Sequence, residues 1–180
     1  MAHDRDQRRF ARLEILGQLS EHVVVEALLG GLADYRTSGG TDRGAVWILF
    51  LNSDGTVDAE QKISQSDGKF DGTLDDGAGF GSALAAGDMT GDGYDDLVVG
   101  APGEDTAAED AGAFNVLYGS GSGLEAVGEN FWHQDRHGVR DVGEAGDRFG
   151  AALAVGDFDD DGYDDVAVGA PGEGITGFED

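Results

Sequence analysis

The chain has 180 residues, no cysteine and a formal net charge of -26 at pH 7. The missing cysteines exclude disulfide staples and thiolate zinc sites, and a field of that sign repels phosphate backbones and anionic lipid headgroups, which argues against nucleic-acid binding and for cations as ligands. The charge is concentrated. Residues 1–43 hold six basic and seven acidic side chains, whereas residues 44–180 hold five basic and 30 acidic ones.

At the N-terminus Arg5, Arg8 and Arg9 are followed by no apolar run of the kind an export signal carries. Phe10, Leu13, Leu16 and Leu19 recur at helical spacing, with Val23, Val24, Ala27 and Leu28 able to extend the face before Gly30-Gly31 stops it. This predicts a helix within about Arg5 to Leu29, so residues 1–43 read as a non-repeat segment, partly helical or irregular.

From Gly44 the pattern changes to short apolar runs. Ala45 to Leu51 is the longest and far too short to span a bilayer, so direct membrane insertion is not expected. Gly44-Ala45-Val46-Trp47-Ile48-Leu49-Phe50-Leu51 aligns with Gly112-Ala113-Phe114-Asn115-Val116-Leu117-Tyr118-Gly119, and both read as strands. Asp54-Gly55 after the first predicts a tight hairpin turn, and the Gly/Ser run 119–123 after the second a looser one. A partner strand is expected near Gln61 to Gln65 and another near Asn130 to Gln134.

Residues Phe80 to Glu104 and Phe149 to Glu173 are one sentence written twice, with 18 of 25 positions identical. Such self-similarity marks a repeat architecture. Each copy contains a dense acidic loop. The first offers Asp88, Thr90, Asp92 and Asp96 with the Tyr94 carbonyl, and the second offers Asp157, Asp159, Asp161 and Asp165 with the Tyr163 carbonyl. Oxygen donors at alternate positions, with Gly93 or Gly162 at the sharp turn, describe a loop for calcium; magnesium demands a tighter octahedron and keeps its waters. An EF-hand is excluded, because its bidentate glutamate position is Val99 or Val168. The apolar runs on either side read as strands rather than helices. Asp95 and Asp164, lying between ligands, are expected to point outward.

Phe80-Gly81 leading to Gly100-Ala101-Pro102, and Phe149-Gly150 leading to Gly169-Ala170-Pro171, each with the acidic loop between, resemble the FG-GAP repeat that builds the β-propeller of integrin α subunits. The resemblance covers about residues 44 to 180. It implies a four-stranded blade per repeat, with the calcium loop joining its first two strands, and an extracellular or cell-surface setting. The fold expected is therefore all-β, a partial propeller of about two blades: a half blade at 44–67, a full blade at 80–135 and a half blade at 149–173. Carried back by the repeat spacing, a first loop would fall near Leu19 to Ala27, where the sequence LSEHVVVEA lacks the loop pattern. A propeller needs roughly 4 to 8 blades to close, so the chain reads as a fragment of a longer propeller, as one that self-associates through open blade edges, or as marginal alone.

Other chemistry is poorly represented. His133 and His137 stand in HQDRH rather than HExxH, and neither a nucleophile elbow nor a phosphate loop occurs. The function expected is a non-enzymatic, calcium-binding module for adhesion or for contact with a protein or glycan ligand. Two alternatives stay open: an accessory region of a secreted hydrolase or phospholipase, and a truncated relic.

Overall fold

A computed structural model describes residues 10–15, 23–28, 43–52, 54–65, 75–125, 130–139 and 141–174. Every regular element among them is a strand, so the described part of the chain is all-β. Three antiparallel sheets follow one another along the chain. The first contains β1 (Phe10–Ile15), β2 (Val23–Leu28), β3 (Ala45–Leu51) and β4 (Val57–Ile63), in that order. The second contains β5 (Leu84–Gly87), β6 (Asp96–Ala101), β7 (Ala113–Leu117) and β8 (Phe131–Trp132), again in chain order, and the third pairs β9 (Ala152–Gly156) with β10 (Asp165–Gly169). Successive up-and-down sheets of this kind are the blades of a partial propeller.

One local expectation needs correction. Phe10–Ile15 and Val23–Leu28 form no helix; they are strands, paired from Phe10↔Leu28 to Ile15↔Val23, and β2 in turn pairs with β3. The first sheet therefore has four strands where residues 44–67 alone would supply two. The physical reason is tertiary. β3 is an apolar strand whose backbone donors and acceptors need a partner on each side, and Val23-Val24-Val25 is a β-branched run that fits that edge better than a helix. Residues 16–22, which join β1 to β2, and the expected helix start at Arg5 to Arg9 lie outside the described residues.

Elsewhere the strands and turns fall where the local pattern puts them. Asn52 and Thr56 close the Asp54-Gly55 turn, with Gly55 at φ +84° and the Asp54 carboxylate accepting from the Thr56 N–H and hydroxyl. That hydrogen bonding holds the Asp54 carboxyl below its usual value. β4 and β8 overlap the partner strands predicted at 61–65 and 130–134.

What stacks the sheets is the two-residue period of β6. Leu97 and Val99 face a core cluster with Phe80 and with Val46, Ile48 and Ile63 of the preceding sheet. Val98 faces a second cluster with Phe114, Val116 and the flanking Phe149, Leu153, Val155, Val166 and Val168. Buried on both faces, β6 is the central wall between these clusters.

The Phe-Gly dipeptides stitch each sheet to its neighbour. Gly44 forms a parallel bridge with Phe80, and Gly112 forms the same bridge with Phe149. Both glycines have left-handed φ, and a Cβ on either would overlap the phenylalanine carbonyl oxygen, so only glycine permits this approach. A second tie lies within each repeat, after Gly-Ala-Pro, where the Gly103 N–H donates to the Ala78 carbonyl and the Gly172 N–H to the Asp147 carbonyl, each at 3.0 Å. Among the described residues no helix is long and apolar enough to cross a membrane.

Candidate metal centre

Each acidic loop is the hairpin connection between the first two strands of its sheet: Gly87 pairs with Asp96 across the mouth of residues 88–95, and Gly156 with Asp165 across 157–164. The first aspartate organises its loop. Asp88 accepts from the N–H groups of Gly91, Asp92 and Gly93 at 2.8, 3.1 and 2.8 Å, and Asp157 accepts from those of Asp161 and Gly162 at 3.1 and 3.0 Å. A later acid then caps the turn, as Tyr94 N–H donates to Asp92 and Tyr163 N–H to Asp161, both at 2.9 Å. These bonds fold each loop around its first aspartate.

The last aspartate sits at the base. Asp96 is fully buried, and its two oxygens accept from Met89 N–H at 3.0 Å and Gly119 N–H at 2.8 Å. Burial pushes its carboxyl above the usual carboxylate range, outweighing those two hydrogen bonds, and Asp92 and Asp88 add repulsion. Asp165 repeats the arrangement with Phe158 N–H at 3.0 Å, but it is exposed.

In the second loop the carboxylates of Asp157, Asp159 and Asp165 converge, one oxygen from each lying within 4.8 Å of the others. Asp159 is pushed above its usual value by Asp161 first, then by desolvation, Asp165 and Asp157. An all-oxygen set of crowded carboxylates suits a hard divalent cation. The first loop places Thr90 at the corresponding third position, with its hydroxyl 3.5 Å from Asp88, and among the described residues no third carboxylate converges there.

Asp95 and Asp164 correct the expectation that they point outward. Both are half-buried. Desolvation raises the Asp95 carboxyl, with Asp88 and Asp164 adding to it. Asp164 crosses to the neighbouring sheet: its Oδ2 accepts from the Asp88 N–H at 2.9 Å, and its own N–H donates to the Asp88 carbonyl at 3.1 Å. The Tyr163 ring lies where a Cβ on Gly91 would be. The two loops therefore touch through residues flanking or bearing their expected ligands.

Sequence reading also missed a polar strut at each sheet junction. Gln65 donates to Glu104 at 2.6 Å, and Gln134 donates to Glu173 at the same sequence separation. The residues were visible at the repeat spacing, yet nothing in the linear pattern joins a fourth strand to the turn after the next Gly-Ala-Pro. Beside the second strut, oxygens of Glu144, Asp147 and Glu173 also lie within 4.8 Å of one another. Asp147 there accepts from the Glu144 N–H at 2.7 Å, so this trio is tied into the junction.

Against known proteins, the family description "FG-GAP repeat" matches residues 80–117 and 149–179. Phosphatidylinositol-glycan-specific phospholipase D of Rattus norvegicus is 41% identical over 98 residues, covering 54% of this chain and 12% of that protein. Integrin alpha-4 of Xenopus laevis is 40% identical over 100 residues, covering 54% of this chain and 9% of the relative. Integrin alpha-3 of Cricetulus griseus is 35% identical over 133 residues, covering 73% of this chain and 11% of the relative. The chain thus spans about a tenth of the length of these curated relatives.

Proposed function

We propose, from the FG-GAP repeats at residues 80–117 and 149–179 as premise, that this chain is a non-enzymatic calcium-binding propeller module that presents a rigid surface for adhesion or protein interaction outside the cell. The observation that carries the reading is the convergence of Asp157, Asp159 and Asp165 within 4.8 Å at a loop of the repeat. Asp161 and the Tyr163 carbonyl complete the second donor set; Asp88, Thr90, Asp92, Asp96 and the Tyr94 carbonyl make the first. A bound calcium ion would supply the positive charge these carboxylates lack, fixing the hairpin by charge neutralisation rather than by any reaction.

The mechanism is linkage. An ion held only by the folded chain stabilises it by about 2.7 kcal/mol per site at 100 times its dissociation constant. The test is a thermal melt followed by circular dichroism in EDTA and then in millimolar calcium. The midpoint is expected to rise with calcium, to rise less in Asp157→Ala and Asp161→Ala, and to respond weakly to magnesium. A folded chain whose midpoint ignores calcium would overturn the assignment.

A second reading, an accessory propeller region of a secreted phospholipase or hydrolase, is favoured by the similarity to the phospholipase D of Rattus norvegicus. In either reading the module's partner is a protein or glycan. Recovery of hydrolytic activity from the full-length protein, mapped to residues outside the repeats, would favour the second.

A further inference from the structure

The two acidic loops are in contact, and the contact runs through the residue that opens the first of them. Asp88 is held at both ends: its carboxylate accepts from three N–H groups of its own loop, and its backbone is clasped by Asp164 from the next sheet, at 2.9 Å through Oδ2 and 3.1 Å through N–H. Asp164 stands between Tyr163 and Asp165, whose carbonyl and carboxylate are both expected ligands of the second loop. Gly87, just before Asp88, leaves the space the Asp164 carboxylate fills, since a Cβ there would overlap Asp164 Oδ2.

We propose that Asp164 is a positioning residue that couples the two loops, so that a divalent cation held by either raises the affinity of the other. The proposal rests on the cation-binding reading above. Ordering Tyr163 and Asp165 around a cation fixes Asp164 between them. Asp164 then holds the Asp88 backbone in the conformation from which its carboxylate reaches the first loop. By thermodynamic reciprocity the effect runs equally in the other direction. Repulsion between two bound dications opposes this coupling, and the proposed sign is that of the clasp.

The experiment is calorimetric titration of the full chain with calcium. The affinity of the first loop is measured with the second intact or silenced by the double substitution Asp157→Ala, Asp161→Ala. The comparison is repeated with Asp164→Ala, which removes the acceptor, with Asp164→Asn, which keeps one, and with Gly87→Ala, which displaces the carboxylate from its slot. Silencing the second loop is expected to weaken the first by about fivefold or more in the native chain, and by clearly less in Asp164→Ala or Gly87→Ala, which keep only the backbone half of the clasp. Asp164→Asn is expected to retain the coupling. Circular dichroism establishes that each variant is folded. Calcium bound at both loops with affinities independent of each other, or coupling undiminished by Asp164→Ala, would overturn the proposal while leaving the metal sites standing. Absence of calcium binding at both loops would overturn the metal reading itself, and the coupling with it.

Discussion

At the level of single residues, the two copies of the repeat differ at the third position of the acidic loop. Thr90 stands where the second loop has Asp159, and only the second of the two loops gathers three carboxylates among the described residues. Thr90→Asp is therefore expected to raise calcium affinity at the first loop several-fold, read by the same titration, because ligand charge tunes such sites. Glu173 gives a pH dependence. Its carboxyl is raised, by desolvation first, with Asp141, Asp147 and Glu144 adding and the Gln134 hydrogen bond opposing. A raised carboxyl contributes stability that is complete below its unfolded pKa, near the ordinary glutamate value of 4.5, and is lost as pH rises through the higher folded value. The midpoint difference between the native chain and Glu173→Gln should accordingly grow in favour of the native chain on acidification toward 4.5; a difference independent of pH would refute this.

Among the elements, β6 and the β1–β2 pair mark the two extremes of legibility. Leu97-Val98-Val99 is an unbroken apolar run, which in a strand means burial on both faces, and the structure buries all of β6. Leu97→Ala is expected to cost about 2–5 kcal/mol, as for other buried leucines, measured by the shift in denaturation midpoint at constant slope. The interval of Phe10, Leu13, Leu16 and Leu19 predicts a helix, yet β1 and β2 are strands. That interval is a local property, whereas the pairing of β2 depends on β3, which lies beyond the next connection and meets it from Val23↔Phe50 to Leu28↔Ala45.

Across the whole molecule, charge and apolar surface pull in different directions. A net charge of -26 repels itself in the compact state, so the calcium-free chain is expected to gain thermal stability with added monovalent salt, which screens exposed charges beyond about 10 Å at 0.1 M. A melting midpoint that falls or stays level as sodium chloride rises would contradict this. Between β7, β8 and β10 lies an open cavity of about 560 Å³ lined by Phe114, Val116, Trp132, Val166 and Val168. It continues the second core cluster alongside the two strands of the third sheet, and contact between blade edges is one way such an apolar surface leaves water.

The repeat, the short strands, the two acidic hairpin loops and the Phe-Gly dipeptides are legible in the linear order of residues, because each depends on positions a few residues apart whose spacing matches a local hydrogen-bonding or side-chain period. Residues 10–28 pairing as strands, Gln65 reaching Glu104, Asp164 turning to Asp88 and three carboxylates converging at one loop became visible only in the assembled sheets. Those outcomes depend on which strand edges and loops meet when one sheet stacks on the next, and the free energy of that meeting is written in no single stretch of the chain.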